Sequence, residues 1–137
     1  LLNKKINNLL KKIFIIDDDY ISKFVNKKLI EKSGLFNEIA EYDSGRSALQ
    51  LLQNPELNHE TIPDLIFLDI QMPDMNGFEF LNEFEKLPNY ITNKTKIVML
   101  SSSLDDRDRD VSLKNNFVID FISKPLDNEK LTNIVFN

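Results

Sequence analysis

Short apolar runs recur along the chain at a steady interval, each closed by a polar residue. They are Ile13-Phe14-Ile15-Ile16, Leu65-Ile66-Phe67-Leu68, Ile97-Val98-Met99-Leu100 and Phe117-Val118-Ile119, the last continuing past Asp120 to Phe121-Ile122. A weaker run stands at Ile39-Ala40. Apolar runs without alternation predict strands buried on both faces, as in a parallel sheet covered by helices. Between them the spacing turns helical. Ile21, Phe24, Val25 and Leu29 form one stripe, stopped by Ser33-Gly34 as a C-terminal cap. Ala48, Leu49 and Leu52 form a second, with Ser44 as its N-cap and Pro55 beyond its end. Phe80, Leu81 and Phe84 form a third, closed before Pro88, and Leu131, Ile134 and Val135 form a last, opened by Asp127. Asp105 to Lys114 is mostly charged and predicts a weakly anchored helix.

The order is therefore strand then helix, five times over, which predicts an α/β sandwich with right-handed crossovers. A length of 137 residues suits one domain with its own core. That domain is expected to span residues 12–137, preceded by an N-terminal extension of residues 1–11. Leu2, Ile6, Leu9 and Ile13 have roughly helical spacing, so the extension is expected to be a short amphipathic lead-in, dispensable for the chemistry. The first residue is not Met, which leaves open an excised piece of a longer protein.

Composition removes several classes of function. With no Cys, disulfides and thiolate metal sites are excluded, and the single His, His59, excludes a histidine zinc cluster and a Ser–His or Cys–His triad. His59 lies in a polar stretch and is expected to be a solvated loop residue. A net charge of −5 gives no basic footprint for nucleic acid. No apolar run reaches transmembrane length, and Lys and Asn interrupt the start too often for a signal peptide, so a cytoplasmic location without membrane contact is expected.

In an open α/β sheet, ligands sit beyond the carboxyl ends of the strands, so the residues closing each strand carry the information. After the first come Asp17, Asp18 and Asp19; after the third, Asp69; after the fourth, Ser101, Ser102 and Ser103; after the fifth, Lys124-Pro125. Crowded carboxylates repel one another and ionise readily only when a cation joins them. With oxygen ligands alone and room for water and phosphate, Mg²⁺ is the natural ion. An Asp carboxylate is a competent nucleophile for making an acyl phosphate. Lys124 and the Ser101 hydroxyl are candidates to hold phosphoryl oxygens where charge develops.

At these residues a resemblance becomes specific. Ile15-Ile16-Asp17-Asp18-Asp19, the segment Asp64 to Gly77 with Asp69-Ile70-Gln71-Met72-Pro73-Asp74 inside it, Val98-Met99-Leu100-Ser101-Ser102, and Ser123-Lys124-Pro125 are similar to the four signatures of response-regulator receiver domains, the phosphorylated modules of bacterial-type two-component systems. The match runs in order over about residues 12 to 137. The resemblance implies a flavodoxin-like five-stranded parallel sheet of order 2-1-3-4-5, with helices on both faces. It implies a signalling switch rather than a turnover enzyme, phosphorylated on Asp69 by a phosphohistidine donor, either a histidine kinase or a histidine phosphotransfer protein.

Site roles carry over by position. Asp17 and Asp18 match the acidic pair that holds Mg²⁺. Asp69 matches the phosphoacceptor, which also touches the metal, and Gln71 supplies a backbone carbonyl to it. Ser101 matches the switch hydroxyl, Lys124 the phosphate-binding lysine, and Phe121 the switch aromatic. Ser102 fills a position that is usually Ala or Gly, where its backbone N–H can approach phosphate. Gln71 and Ser103 border the path of water to the phosphorus, and are expected to give intermediate to slow dephosphorylation. The Lys124-Pro125 bond is expected to be cis. The fourth helix, fifth strand and fifth helix form the expected surface for a downstream target or self-association.

Several residues also carry plainer readings. Asp19 is expected to be an ordinary N-cap. Phe121 fits core packing as well as a switch role, because both want an aromatic there. The charged stretch Asp105 to Asp110 is most simply a solvent face, whose polarity suits a transient partner. The main rival from another class is a haloacid-dehalogenase-type phosphatase, but that chemistry wants a second Asp two residues after its nucleophile, where Gln71 stands. A pseudo-receiver used only for binding is a third reading, against which both the acidic pair and the acceptor Asp are present.

Overall fold

The computed structural model describes residues 12–103 and 105–136. The expectations for residues 1–11 lie outside these described residues. Five strands, β1 (Lys12–Ile16), β2 (Glu38–Tyr42), β3 (Leu65–Asp69), β4 (Lys96–Ser101) and β5 (Val118–Ser123), pair in parallel in the order β2-β1-β3-β4-β5. They alternate with α1 (Tyr20–Ser33), α2 (Gly45–Leu52), α3 (Gly77–Phe84), α4 (Asp106–Lys114) and α5 (Asn128–Phe136). A 3-10 turn at His59–Thr61 and one helical turn at Asn89–Thr92 complete the described chain.

The unbroken apolar runs are the interior strands. Every residue of β3 is buried, as are Ile13 to Ile16 of β1 and Ile97 to Ser101 of β4. Alternate side chains feed two cores, one on each face of the sheet. Phe14, Ile16, Ile66, Leu68, Met99 and Phe121 pack towards Ala48, Leu49, Phe80 and Phe84 of α2 and α3. Ile13, Ile15, Leu65, Phe67, Val98 and Leu100 meet Ile30 of α1 and Leu131 of α5. β2 is the weakest apolar signal because it is an edge strand with exposed Glu38 and Glu41.

The caps fall where the side chains predict. Asp19 accepts from the Ile21 N–H at 3.1 Å and Ser44 from the Ser47 N–H at 3.2 Å. Asp105 caps α4, and Asp127 accepts from the Lys130 N–H at 2.8 Å. Gly34 ends α1 with φ of 67°, a left-handed conformation that glycine adopts without strain.

One helix face requires correction. The stripe Ile21, Phe24, Val25, Leu29 is not the buried face of α1: the first three are 71%, 50% and 47% exposed, and Leu29 is half-buried. Lys23, Asn26 and Ile30 point inward instead, at spacings that are equally helical. The helix is turned by its polar contacts. Asp19 fixes its first turn, and buried Lys23 reaches across to pair with Asp43 just beyond β2. The outward apolar groups partly cover each other, with Tyr20 and Phe24 rings stacked at 6.5 Å and the Lys28 ammonium 5.6 Å from the Phe24 ring centre.

Candidate functional site

Strand order reverses between β1 and β3, and this switch point puts the residues after β1 beside the end of β3. Asp17 leaves β1 with its N–H bonded to the Tyr42 carbonyl at 3.1 Å. Its Oδ1 accepts from the Asp19 N–H at 2.9 Å, a second bond that fixes the carboxylate. Asp69 ends β3, and the Ile70 N–H donates to the Leu100 carbonyl at 3.0 Å, which keeps the ladder intact past Asp69. Asp17, Asp18 and Asp69 each present a carboxylate oxygen within 4.8 Å of the others. Asp17 and Asp69 are buried, while Asp18 is exposed.

Lys124 arrives from the far edge. Its N–H donates to the Ser101 carbonyl at 2.8 Å, holding the end of β5 against the end of β4. Its Nζ lies 2.9 Å from Asp17 Oδ2 and 3.5 Å from Asp69 Oδ1. The Lys124-Pro125 bond is cis, as expected. Lys130 of α5 donates to the carbonyls of Ser123 and Pro125, both at 2.9 Å, bracing this turn from behind. A lone lysine in a helix carries no sequence signal for such a task, and the pattern of residues does not point to Lys130.

The charges pull in different directions. Burial alone would raise Asp17, but the Asp19 amide, Lys124 and the Ser22 hydroxyl hold it below the ordinary carboxylate range. Asp69 goes the other way: burial, then the Asp17 charge, raise it to about 6 against the pull of Lys124 and the Gln71 N–H. Burial works against the Lys124 ammonium, but its hydrogen bond to Asp17 and the charges of Asp17 and Asp69 raise it above its usual value. Three carboxylates against one ammonium leave two negative charges when all are ionised. A hard dication with oxygen ligands fits that donor set and that balance.

The hydroxyls lie across the β3–β4 boundary. Ser101 is fully buried at the end of β4, and its Oγ accepts from the Ser103 N–H at 3.0 Å. Ser103 Oγ accepts from the Asp105 N–H at 3.2 Å and so faces the start of α4. Gln71 donates its N–H to Asp69 Oδ1 at 3.3 Å, and its side-chain Oε1 accepts from the Ser102 hydroxyl at 2.6 Å. Phe121 is buried in the α2–α3 core. His59 is exposed and stacks on Tyr90 at 4.6 Å, away from this edge.

The loop carrying Gln71 is shaped at both ends. Gly77 donates its N–H to the Ile70 carbonyl at 2.9 Å, and a Cβ there would lie 2.9 Å from Ile70 Cα and 3.0 Å from the Asp69 carbonyl oxygen. Asn76 and Glu79 form a capping box that starts α3 directly after the loop. The sequence signal for it is Asn76 with Glu79 three residues later, a pattern that the apolar stripe Phe80, Leu81, Phe84 overshadows. Asp74 has φ of 68° and pairs with Arg46 of α2 at 2.6 Å. A cleft of about 600 Å³ between α2 and α3, lined in part by Arg46 and Glu79, holds none of the clustered carboxylates.

A family model described as the response regulator receiver domain matches residues 13–136. Among solved structures, a response regulator receiver protein from Dyadobacter fermentans is 31% identical with a TM-score of 0.80, covering 91% of this chain and 94% of that one. A two component response regulator from Cytophaga hutchinsonii is equally similar, at 31% identity and a TM-score of 0.80 over 91% and 93% of the two chains. The transcriptional regulatory protein CpxR of Klebsiella pneumoniae is 30% identical over 122 residues, which are 89% of this chain and 46% of CpxR. The chain thus spans less than half the length of such curated relatives.

Proposed function

The chain belongs to the response regulator receiver domain family of two-component signalling, and on that premise we propose that it is a phosphorylation-operated switch whose acceptor is Asp69. Members of this family are signalling modules rather than turnover enzymes, and their partners are histidine kinases or phosphotransfer proteins. The observation that carries the proposal is the ammonium of Lys124 set between Asp17 and Asp69 at the switch point. A carboxylate oxygen of Asp69 attacks the phosphorus of a phosphohistidine. The oxygen–phosphorus bond forms as the phosphorus–nitrogen bond breaks, and that electron pair returns to the imidazole.

Mg²⁺ bound here would offset charge on the phosphoryl oxygens as they approach the carboxylates. Asp18, Asp69 and the Gln71 carbonyl would hold it, with Asp17 contributing mainly from behind through its bonds to Asp19 and Lys124. Lys124, the Ser101 hydroxyl and the Ser102 backbone N–H receive the phosphoryl oxygens. Movement of Ser101 towards them, followed by Phe121 beneath, carries the signal to the surface of α4, β5 and α5. Exposed Val111 among the charges of α4, Ile119 of β5 and Phe136 of α5 support that face as the site for a downstream target or a second copy. No helix among the described residues is long and apolar enough to cross a membrane. We place the domain in the cytoplasm, with no role in nucleic-acid binding.

Treatment with acetyl phosphate and Mg²⁺, read by intact mass, tests this. One acid-labile phosphoryl group is expected on the wild type and none on Asp69→Asn. Label persisting in that variant would refute the assignment.

A further inference from the structure

The Lys124 ammonium can meet a phosphoryl group only if the turn that carries it is held in place. Its own N–H donates to the Ser101 carbonyl at 2.8 Å, from the β4 side. The carbonyls on either side of it, those of Ser123 and Pro125, both accept from the Lys130 ammonium of α5 at 2.9 Å. One side chain thus grips the backbone immediately before and immediately after Lys124. The base of that side chain is fixed in turn. The Lys130 N–H donates to Asp127 Oδ1 at 2.8 Å, and Leu131 beside it is buried, as is Leu126 at the end of the turn.

Lys130 stands in the first turn of α5, where the positive end of the helix favours an anion such as Glu129 and disfavours a cation. Helix stability alone therefore argues against lysine at this position, and what the ammonium gains there is its bonds to the two carbonyls. Hydrogen bonds from an ionised donor are stronger than neutral ones, so the grip is firm on a turn whose Ser123 and Lys124 are half-buried and whose Pro125 is exposed. The far end of the held residue is its Nζ, 2.9 Å from Asp17 Oδ2 and 3.5 Å from Asp69 Oδ1. We propose that Lys130 is a positioning residue for phosphoryl uptake, whose ammonium holds the turn so that Lys124 meets the phosphoryl oxygens as Asp69 attacks. It acts through Lys124 and not on the reacting atoms. The inference rests on Asp69 being the acceptor and on Lys124 receiving the phosphoryl oxygens.

Initial rates of labelling test it. Wild type, Lys130→Met, Lys130→Arg, Lys124→Ala and the Lys124→Ala/Lys130→Met double variant receive acetyl phosphate with saturating Mg²⁺. Intact mass follows the label, with thermal unfolding as a check on folding. In that reaction the Asp69 oxygen bonds to phosphorus as the bond from phosphorus to the acetyl oxygen breaks, and the electron pair leaves with acetate. Misplacing a positioned group by about 1 Å can cost about a hundredfold in rate. With Ser101 still holding the Lys124 N–H, Lys130→Met should slow labelling about three- to tenfold. Lys130→Arg, whose guanidinium can also donate to two carbonyls, should stay within about twofold of wild type. Without the Lys124 ammonium, Lys130→Met should change the rate by less than about twofold, because nothing is left to aim. A purely structural brace would slow both backgrounds alike. Labelling of Lys130→Met at the wild-type rate overturns the positioning role, as does equal slowing with and without Lys124. Should Lys130→Met unfold, Lys130→Gln, uncharged and too short to span both carbonyls, carries the same comparison with the same two outcomes. Absence of label on the wild type would overturn the acceptor reading and the positioning role together, whereas a labelled wild type with an unaltered Lys130→Met removes the positioning role alone.

Discussion

The carboxyl of Asp69 is held up at about 6 by burial first and by the Asp17 charge second. A folded-state value above the unfolded one means that the folded protein binds the proton more tightly. That contribution is complete below about pH 4, near the unfolded value, and is lost as pH rises through about 6. Over the rise from 3.8 to about 6 it amounts to about 3 kcal/mol. Asp17 runs opposite: its value is depressed, so its contribution is present above the unfolded value and lost as the solution is acidified. Asp69→Asn should therefore stabilise the metal-free protein at pH 7.5 by about 2–3 kcal/mol, with the gain vanishing near pH 4. Urea unfolding in EDTA at the two pH values reads this. An equal effect at both would mean that the Asp69 charge is not the source.

At the scale of elements, α1 shows that one helical spacing can hide another. Ile30 is buried against the β1–β3 core, whereas Ile21 lies in solvent. Ile30→Ala should cost about 2–5 kcal/mol and Ile21→Ser less than about 0.5. Asn26 faces inward with a buried Nδ2 that has no hydrogen-bond partner. Asn26→Leu should raise stability by about 1 kcal/mol, since it removes an unsatisfied donor from the core. If Ile21→Ser proved the costlier of the two Ile changes in chemical denaturation, α1 would have to present its other face to the sheet. The loop between β3 and α3 makes a second case. A Cβ on Gly77 would press on the backbone of Ile70 and Asp69, which cannot swing aside as a flexible side chain can. Gly77→Ala should lose about 1–3 kcal/mol and slow labelling of Asp69, measured by unfolding and by initial rate.

At the scale of the whole molecule, the site joins the ends of β1, β3, β4 and β5, so a ligand there bonds to the native state alone. Mg²⁺ at about a hundred times its dissociation constant should stabilise the domain by about 2.7 kcal/mol. The effect should vanish in Asp17→Ala/Asp18→Ala, and it should fade on acidification as the carboxyls take up protons. Thermal unfolding with and without Mg²⁺ at pH 7.5 and pH 4.5 measures both. A rise in the double variant equal to that of wild type would place the ion elsewhere.

By itself the sequence determined the alternation of strands and helices, the caps at Asp19, Ser44 and Asp127, and the set of polar residues that close each strand. These are local properties: apolar runs report burial, and a capping side chain bonds its own backbone within a turn. The resemblance of four short motifs then supplied strand order and pointed to Asp69 as the proposed acceptor, because periodicity carries no information about which strands become neighbours. Only the tertiary structure decided which face of α1 turns inward, since Ile21, Phe24, Val25 and Lys23, Asn26, Ile30 share one period and differ in partners on other elements. It alone brought Lys124 within 2.9 Å of Asp17, joined Gln71 to Ser102 at 2.6 Å, and set Lys130 behind the turn at Pro125. Each of those contacts links residues on different strands or loops, or on a helix and the turn it braces. Their existence depends on how the sheet is ordered and how the helices are laid upon it.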